Sequence, residues 1–142
     1  MPNSHVSNHV HIVFSTKNRV PEIPADLQPQ LWSYMAGIAR NHGMHAVAIG
    51  GTEDHVHALI SIPPVLSIAR TVQVLKANSS RGVNEDRARR FEWQEGYGAF
   101  SVSRSQVSAT MNYIANQAEH HRKRDFASEF ALLLKKHGIT VG

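Results

Sequence analysis

Hydrophobic and polar residues alternate in two short stretches of the chain, and both stretches begin with the triplet HVH. Residues 9–16 (HVHIVFST) place His9 and His11 on one face of a strand and apolar side chains on the other. Residues 55–62 (HVHALISI) alternate in the same way. Because side chains two positions apart share a strand face, each triplet presents two imidazoles on one side. The pattern predicts two half-buried strands, either of which could hold a metal.

Apolar residues recur at helical spacing in four other segments, as on the buried face of an amphipathic helix. The predicted helices span residues 26–42, 67–80, 105–121 and 126–138. Two further apolar runs, 44–50 and 97–103, predict strands. Ser67 and Asp125 are the expected N-caps of the second and last helices.

The order of these elements predicts the fold class. It reads βαββαβ followed by additional C-terminal helices, which with right-handed crossovers gives an α+β, ferredoxin-like antiparallel sheet. In that plan the first and third strands are central neighbours, so the histidines of both triplets can cluster on one sheet face. The length of 142 residues predicts one domain, residues 1–142.

The third predicted helix carries two stripes. Ser103 followed by Gln106 is a capping-box pattern. The expected core stripe consists of Val107, Met111, Ile114 and Ala118. A separate polar stripe consists of Tyr113, Gln117, His120 and Arg124. A phenol, an amide and two basic groups in line suit phosphodiester chemistry, although such stripes also occur on ordinary surface helices.

Composition narrows the chemistry. The chain has no cysteine, so a metal site must use histidine, carboxylate or amide ligands, and ten histidines are present. The formal net charge of +4 favours a polyanionic partner. No apolar run approaches the length of a membrane helix and no signal-peptide pattern begins the chain, which predicts a cytoplasmic protein.

A catalytic metal needs about three protein ligands, so neither histidine pair is sufficient alone. Gln117 is a plausible third ligand, whereas each HVH triplet could equally be packed at the edge of the core. Asp54 directly precedes His55 and is expected to face away from it, in a turn or in a supporting role.

Six segments in order resemble the single-tyrosine HUH transposases, the TnpA-type enzymes of insertion sequences that move as single-stranded DNA. They are HIVFSTKNR, AIGGTEDHVHALI, KANSSR, WQEGYGAFSVS, YIANQAEHHRKR and FALLLKKHGI. The resemblance implies an enzyme that cleaves and rejoins single-stranded DNA through a 5′-phosphotyrosine. It makes Tyr113 the nucleophile and His55, His57 and Gln117 the metal ligands, which selects the second HVH triplet over the first.

The resemblance also implies partners. These are hairpin-containing ends of single-stranded DNA and a homodimer in which the tyrosine helix can complete the partner's site. Imidazole, amide and water ligands suit Mg²⁺ or Mn²⁺ as the cofactor. Basic or polar residues expected to contact DNA are His11, Lys17, Arg19, Lys76, Arg81, His120 and Arg124, with Arg70 and the basic run 87–90 as further candidates. Trp93 and Tyr97 could stack on bases or pack in the core.

The sequence is also compatible with three other functions. A domesticated HUH endonuclease or a replication-type nickase would share the chemistry and differ in its DNA target. A non-catalytic single-strand-binding module would use the same sheet but normally presents aromatics on its central strands, where this chain has histidines. A histidine metallohydrolase would need more carboxylates near the site than the sequence pattern locates.

Overall fold

The computed structural model describes residues 4–85 and 91–140, and within these residues four strands form one antiparallel sheet. The strands are β1 (His9–Ser15), β2 (His45–Gly51), β3 (His55–Ser61) and β4 (Gly98–Val102). Their order across the sheet is β2-β3-β1-β4, with β1 paired to both β3 and β4. This confirms the predicted α+β fold with β1 and β3 as central neighbours.

Two helices cover one face of the sheet. They are α1 (Gln28–Asn41) and α2 (Ile68–Asn84), and they pack on the apolar faces of β1 and β3 through a core that includes Ile12, Phe14 and Ala58. The Ser67 hydroxyl accepts a hydrogen bond from Arg70 N at 3.0 Å, so the predicted N-cap of α2 is confirmed. Apolar residues on this face leave the histidine face of the sheet for other elements.

Three shorter helices cover the histidine face. They are α3 (Val107–Ala115), α4 (Gln117–Lys123) and α5 (Phe126–Lys136). Two small apolar clusters attach them to the sheet, one around Leu59 and Ile114 and one around Val13 and Phe126. Asp125 Oδ1 accepts a hydrogen bond from Ser128 N at 2.9 Å, which confirms the predicted N-cap of α5.

The prediction of one continuous helix over residues 105–121 is wrong. Asn116 has φ −102° and ψ 25°, outside helical geometry, and its side-chain Nδ2 donates to Asn112 O at 2.8 Å. An asparagine amide competes in this way with the regular backbone bonds of a helix, which explains the break between α3 and α4. Arg124 lies beyond the end of α4 in extended backbone, so it does not continue a helical stripe.

Two details predicted for this helix are also wrong. Ser103 makes no side-chain capping bond, and instead its hydroxyl lies 3.2 Å from that of Ser105, so the capping box does not form. Val107 and Ile114 are buried as expected, but Met111 and Ala118 are exposed. The buried stripe is therefore narrower than the spacing predicted.

Gly50 allows α3 to approach the sheet closely. A Cβ atom built on Gly50 would lie 2.6 Å from the backbone oxygen of Ile114, too close for any larger residue without movement. The backbone of α3 therefore rests directly on β2, one residue from Tyr113. Among the described residues, no helix has the length and apolar character needed to cross a membrane.

Candidate metal and tyrosine site

The two histidines of the second HVH triplet lie side by side on β3. Their side chains are almost completely buried, with 1% of His55 and none of His57 exposed. Both point to the face covered by α3, α4 and α5, because alternation along the strand sends Val56 into the opposite core. The prediction that they share one face of a central strand is confirmed.

One ring nitrogen of each histidine is held by a neighbouring side chain. His55 Nδ1 donates to Asp54 Oδ1 at 2.7 Å, and Thr52 Oγ1 lies 3.0 Å from the same nitrogen. His57 Nδ1 and His11 Nε2 are 2.7 Å apart and share a hydrogen bond. Asp54 does not face away from His55 as the alternation predicted, since the turn at the start of β3 returns its carboxylate to that ring.

The remaining ring nitrogens converge with two oxygen atoms. His55 Nε2 lies 2.9 Å from Gln117 Oε1 and 3.4 Å from Glu129 Oε1, and His57 Nε2 lies 3.0 Å from the same Glu129 oxygen. All four side chains are buried. Two imidazoles, a carboxylate and an amide oxygen pointing to one place form a donor set that fits a divalent cation.

Glu129 is the functional candidate that the sequence patterns missed. It lies on α5 between Phe126, Phe130 and Leu133, so an acidic side chain occupies the apolar stripe of an amphipathic helix. A carboxylate at such a position needs buried partners to offset its desolvation. That interruption of the stripe was the available signal, but the sequence did not show which partners it would meet.

Tyr113 joins the same cluster from α3. Its hydroxyl donates to Glu129 Oε2 at 2.5 Å, while the other oxygen of that carboxylate lies near both histidines. The phenol ring is 5.6 Å from the ring of His57 and 4.6 Å from that of His120, measured between centroids. The tyrosine and the histidines therefore meet within one chain, through one carboxylate.

Burial and hydrogen bonding shift the ionisation of these groups in opposite directions. Burial disfavours the charged imidazolium of His55, but hydrogen bonds to Asp54 and Glu129 outweigh it and raise its pKa to about 9. Burial also opposes the charge of Glu129, yet its bonds with His55 and His57 hold the pKa of that carboxyl far below its usual range. Burial first, and then the Glu129 carboxylate, raise the pKa of Tyr113 above that of a free phenol.

The neighbouring histidines on β1 and β3 behave differently. Burial lowers the pKa of His57, and burial together with the positive charge of its neighbours lowers the pKa of His11 to about 3. His11 is thus a neutral ring at neutral pH, able to share one proton with His57. The expectation that His11 lies near the histidine pair is confirmed.

The sequence itself decides the family. The profile of the family described as "Transposase IS200 like" matches residues 4–117, which is most of the chain. The chain belongs to the IS200-like transposase family. This agrees with the resemblance to single-tyrosine HUH transposases, and the chain has the buried HUH histidines of such an enzyme on β3.

Solved structures share the fold of this chain. One is a candidate transposase from Deinococcus radiodurans R1, with a TM-score of 0.62 and 24% identity over 81% of this chain and 95% of that one. Another is a REP-associated tyrosine transposase bound to a REP hairpin, with a TM-score of 0.62 and 11% identity over 84% of this chain and 72% of that one. No curated protein sequence matches the chain.

Among the described residues, the first HVH triplet contributes one residue, His11, to the cluster around His57 and Glu129. His11 contacts His57, but His9 belongs to neither potential metal-ligating group among the described residues. The second such group, Asp54, His55 and His121, shares His55 with the cluster around Glu129. The structure thus gives the two triplets different surroundings, with a carboxylate and an amide beside the second.

Besides His11, the predicted DNA contacts Lys17, Arg81 and Lys76 have partners in the protein. Lys17 forms an exposed ion pair with Glu92 at 3.0 Å. Arg81 bonds to the side chain of Asn78 on the α1–α2 side of the sheet, which is the face opposite to Tyr113. Lys76 Nζ donates to backbone carbonyl oxygens of residues 94, 95 and 96 at 2.7, 3.3 and 2.6 Å.

Lys76 is therefore held by the protein's own backbone. Its three ammonium hydrogens match the three carbonyl groups, and its charge lies 5.1 Å from the Phe14 ring centroid and 5.8 Å from that of Tyr97. This side chain fixes the segment that leads into β4. Its predicted contact with DNA stays a prediction.

The remaining residues predicted to contact DNA lie in different parts of the structure. His120 and Arg124 lie beside Tyr113, whereas Arg19 is exposed in a short 3-10 segment, Lys17–Arg19, with φ 56°. Trp93 is buried and its Nε1 donates to Ser79 Oγ at 2.9 Å, so the core alternative is correct for it. The basic run 87–90 lies outside the described residues.

Proposed function

We propose that the chain is a metal-dependent transposase that cleaves and rejoins single-stranded DNA through a 5′-phosphotyrosine at Tyr113. The observation that carries this proposal is the convergence on Glu129: one carboxylate oxygen accepts from the Tyr113 hydroxyl and the other lies within 3.4 Å of both histidine Nε2 atoms. The nucleophile and the candidate metal ligands therefore lie next to one another, as metal-assisted phosphoryl transfer requires.

We assign the metal ligands as His55, His57, Gln117 and Glu129. The first three follow from the family resemblance, and Glu129 is added because its Oε1 lies between the imidazole nitrogens. The carboxylate makes the donor set harder than histidine and amide alone, which favours Mg²⁺ or Mn²⁺. A divalent ion bound there would supply Lewis-acid stabilisation of charge on a phosphate oxygen.

The protein supplies the nucleophile, and solvent supplies and removes the protons. Tyr113 Oη attacks phosphorus and loses its proton to solvent, while Glu129 Oε2, which accepts a hydrogen bond from the hydroxyl, orients it. The bond from phosphorus to O3′ breaks as the bond to Oη forms, and O3′ takes a proton from solvent to become a free hydroxyl. Attack by another 3′-hydroxyl reverses these changes on a new strand, so the energy of the phosphodiester is retained.

The proposed substrate is single-stranded DNA with hairpin-containing ends. The family match supports a DNA substrate, and the fold neighbour bound to a REP hairpin supports a hairpin in it. We retain the homodimer as part of the proposal. We also place the reaction inside the cell, where single-stranded DNA arises.

Tyr113→Phe tests the proposal because it removes only the phenolic oxygen. The variant should keep fold and metal binding and lose the covalent protein–DNA adduct, since Tyr113 carries the hydroxyl that lies against Glu129. The measurement uses labelled single-stranded DNA with Mg²⁺ or Mn²⁺ and a denaturing gel that separates the adduct. Wild-type protein with a chelator is the matched control and should form none.

His57→Ala separates metal binding from nucleophilicity. It should also abolish cleavage, but excess Mn²⁺ should restore a little adduct because Tyr113 is still present. An adduct that persists in Tyr113→Phe, or full activity of the wild type in chelator, would contradict the proposed mechanism.

A further inference from the structure

A groove of about 600 Å³ opens next to Tyr113 on the α3–α5 side of the sheet. Its walls come from the end of β4, the first turns of α3 and the last turns of α5. The inner end is formed by His11, Tyr113 and Glu129, so the groove starts at the candidate site. It is therefore an approach to the hydroxyl of Tyr113 from solvent.

Positive charge surrounds the outer part of this groove. Arg124, from the connection between α4 and α5, and Lys136, from the last turn of α5, both line it and are exposed. His137 lines it as well, with its ring stacked on Phe100 at 4.6 Å between centroids. Among the described residues that line it, Glu129 is the only carboxylate, and it is already bonded to Tyr113 and His57.

Arg124 and Lys136 line the same groove as His11 and Tyr113. Electrostatic attraction falls off with distance, so a phosphate bound in the groove lies close enough for Arg124 and Lys136 to act on it. Leu132, 45% exposed, adds an apolar surface in the same lining.

We propose that this groove binds the single strand of DNA immediately next to the phosphate that Tyr113 attacks. Arg124 and Lys136 bind the flanking phosphates, and the side chains of Leu132 and His137 contact a base or sugar. The inference rests on the proposed function, because the groove matters for catalysis only if Tyr113 is the nucleophile.

Size favours a single strand over a duplex. Pockets of about 300–1,000 Å³ enclose small organic ligands, so a volume of about 600 Å³ suits one or two nucleotides. The family match does not cover the basic residues of the groove. The family profile ends at residue 117, whereas Arg124, Lys136 and His137 all follow that position.

Neighbouring lysines on α5 give a matched test. Lys136 lines the groove, whereas Lys135 does not, and both lie in the last turn of the helix with similar effects on its dipole. Each is changed to Gln in the Tyr113→Phe protein, so that cleavage does not disturb the binding measurement. The probe is a short fluorescent oligothymidylate, followed by fluorescence anisotropy over a range of salt concentrations.

Lys136→Gln should weaken binding several-fold and reduce the slope of log K against log salt by about 0.7, the value for one phosphate contact on a single strand. Lys135→Gln should leave both nearly unchanged. Arg124→Gln should act like Lys136→Gln, with the exposed Arg122→Gln as its control.

Equal losses of DNA affinity in Lys135→Gln and Lys136→Gln would overturn the proposal that the groove binds DNA, because they would reflect only the change in net charge. Tighter, Lys136-dependent binding of a matched oligouridylate would overturn it in favour of RNA. The adduct assay on Tyr113 decides the proposed function separately. If Lys136→Gln binds DNA normally while the wild type forms the adduct, the groove proposal fails and the proposed function stands. If Lys136→Gln weakens binding while the wild type forms no adduct, the proposed function fails and the groove proposal stands.

Discussion

His55 and His57 use their two ring nitrogens for different purposes. Asp54 and His11 hold the Nδ1 atoms, and the Nε2 atoms face Gln117 and Glu129. Holding one nitrogen fixes the ring orientation and the position of its proton, which prepares the other nitrogen to bind a metal. Strand alternation predicted the shared face and the neighbourhood of His11, but not these bonds, because a strand pattern does not give ring orientation.

His11→Phe should reduce metal affinity by roughly 10–100-fold, the usual effect of losing a partner of a ligating histidine. The change removes the ring nitrogen that lies 2.7 Å from His57 Nδ1 and leaves that buried nitrogen without its hydrogen-bond partner. Metal affinity is measured by competition with a metal-sensitive dye, using chelator-treated protein. Thermal unfolding of the metal-free variant checks that the fold survives.

His9→Phe is the matched control for His11→Phe. His9 is on the same face of β1 two residues away, and its buried Nδ1 has no hydrogen-bond partner within the described parts of the chain. It should therefore leave metal affinity unchanged. Equal affinities for the His11→Phe and wild-type proteins would show that His11 does not support His57.

Separate helices supply the parts of the site. α3 carries Tyr113, α4 begins with Gln117, and α5 carries Glu129, so three short elements must dock correctly on β3. Hydrophobic periodicity predicted helical structure in all of them. It could not predict the break at Asn116, because a one-residue irregularity scarcely alters the spacing of apolar positions. It could not place Glu129 either, since tertiary packing decides which helix covers the histidines.

Gly50→Ala should slow adduct formation because the added methyl group meets the backbone of α3. The new Cβ would lie 2.6 Å from Ile114 O, which adjoins Tyr113 in sequence, so α3 must move away from β2. A displacement of about 1 Å can cost on the order of 100-fold in rate. Single-turnover adduct formation at saturating DNA measures the effect.

Gly37→Ala provides the control for Gly50→Ala. Gly37 lies within α1 on the opposite side of the sheet, and its added Cβ would meet only the Arg40 side chain, at 3.7 Å. Alanine in a helix interior is more stable than glycine by about 0.5–1 kcal/mol, so this variant should be slightly stabilised and fully active. An unchanged adduct rate in Gly50→Ala would mean that α3 does not depend on this close contact.

At the scale of the whole molecule, the order of the strands in the sheet was predictable from the sequence. Whether one chain or two supply the residues of each active site was not. Four strands, right-handed crossovers and the βαββαβ order leave few topologies, and β1 and β3 are central as expected. The sequence left open whether Tyr113 serves its own chain or a partner. In the structure its hydroxyl bonds to Glu129 of the same chain, which in turn lies 3.0 Å from His57 Nε2.

A mixture of two inactive variants tests this arrangement. Tyr113→Phe retains the histidines and lacks the phenol, whereas His57→Ala retains the phenol and lacks a metal ligand. If each tyrosine works with the histidines of its own chain, no combination of the two restores a complete site, and the mixture should form no adduct even after co-expression. A mixture of wild type with Tyr113→Phe is the control and should form adduct in proportion to its wild-type share. Adduct on the His57→Ala chain in the first mixture would show that Tyr113 acts on the histidines of a partner, and that the contact with its own Glu129 belongs to a state outside the reaction.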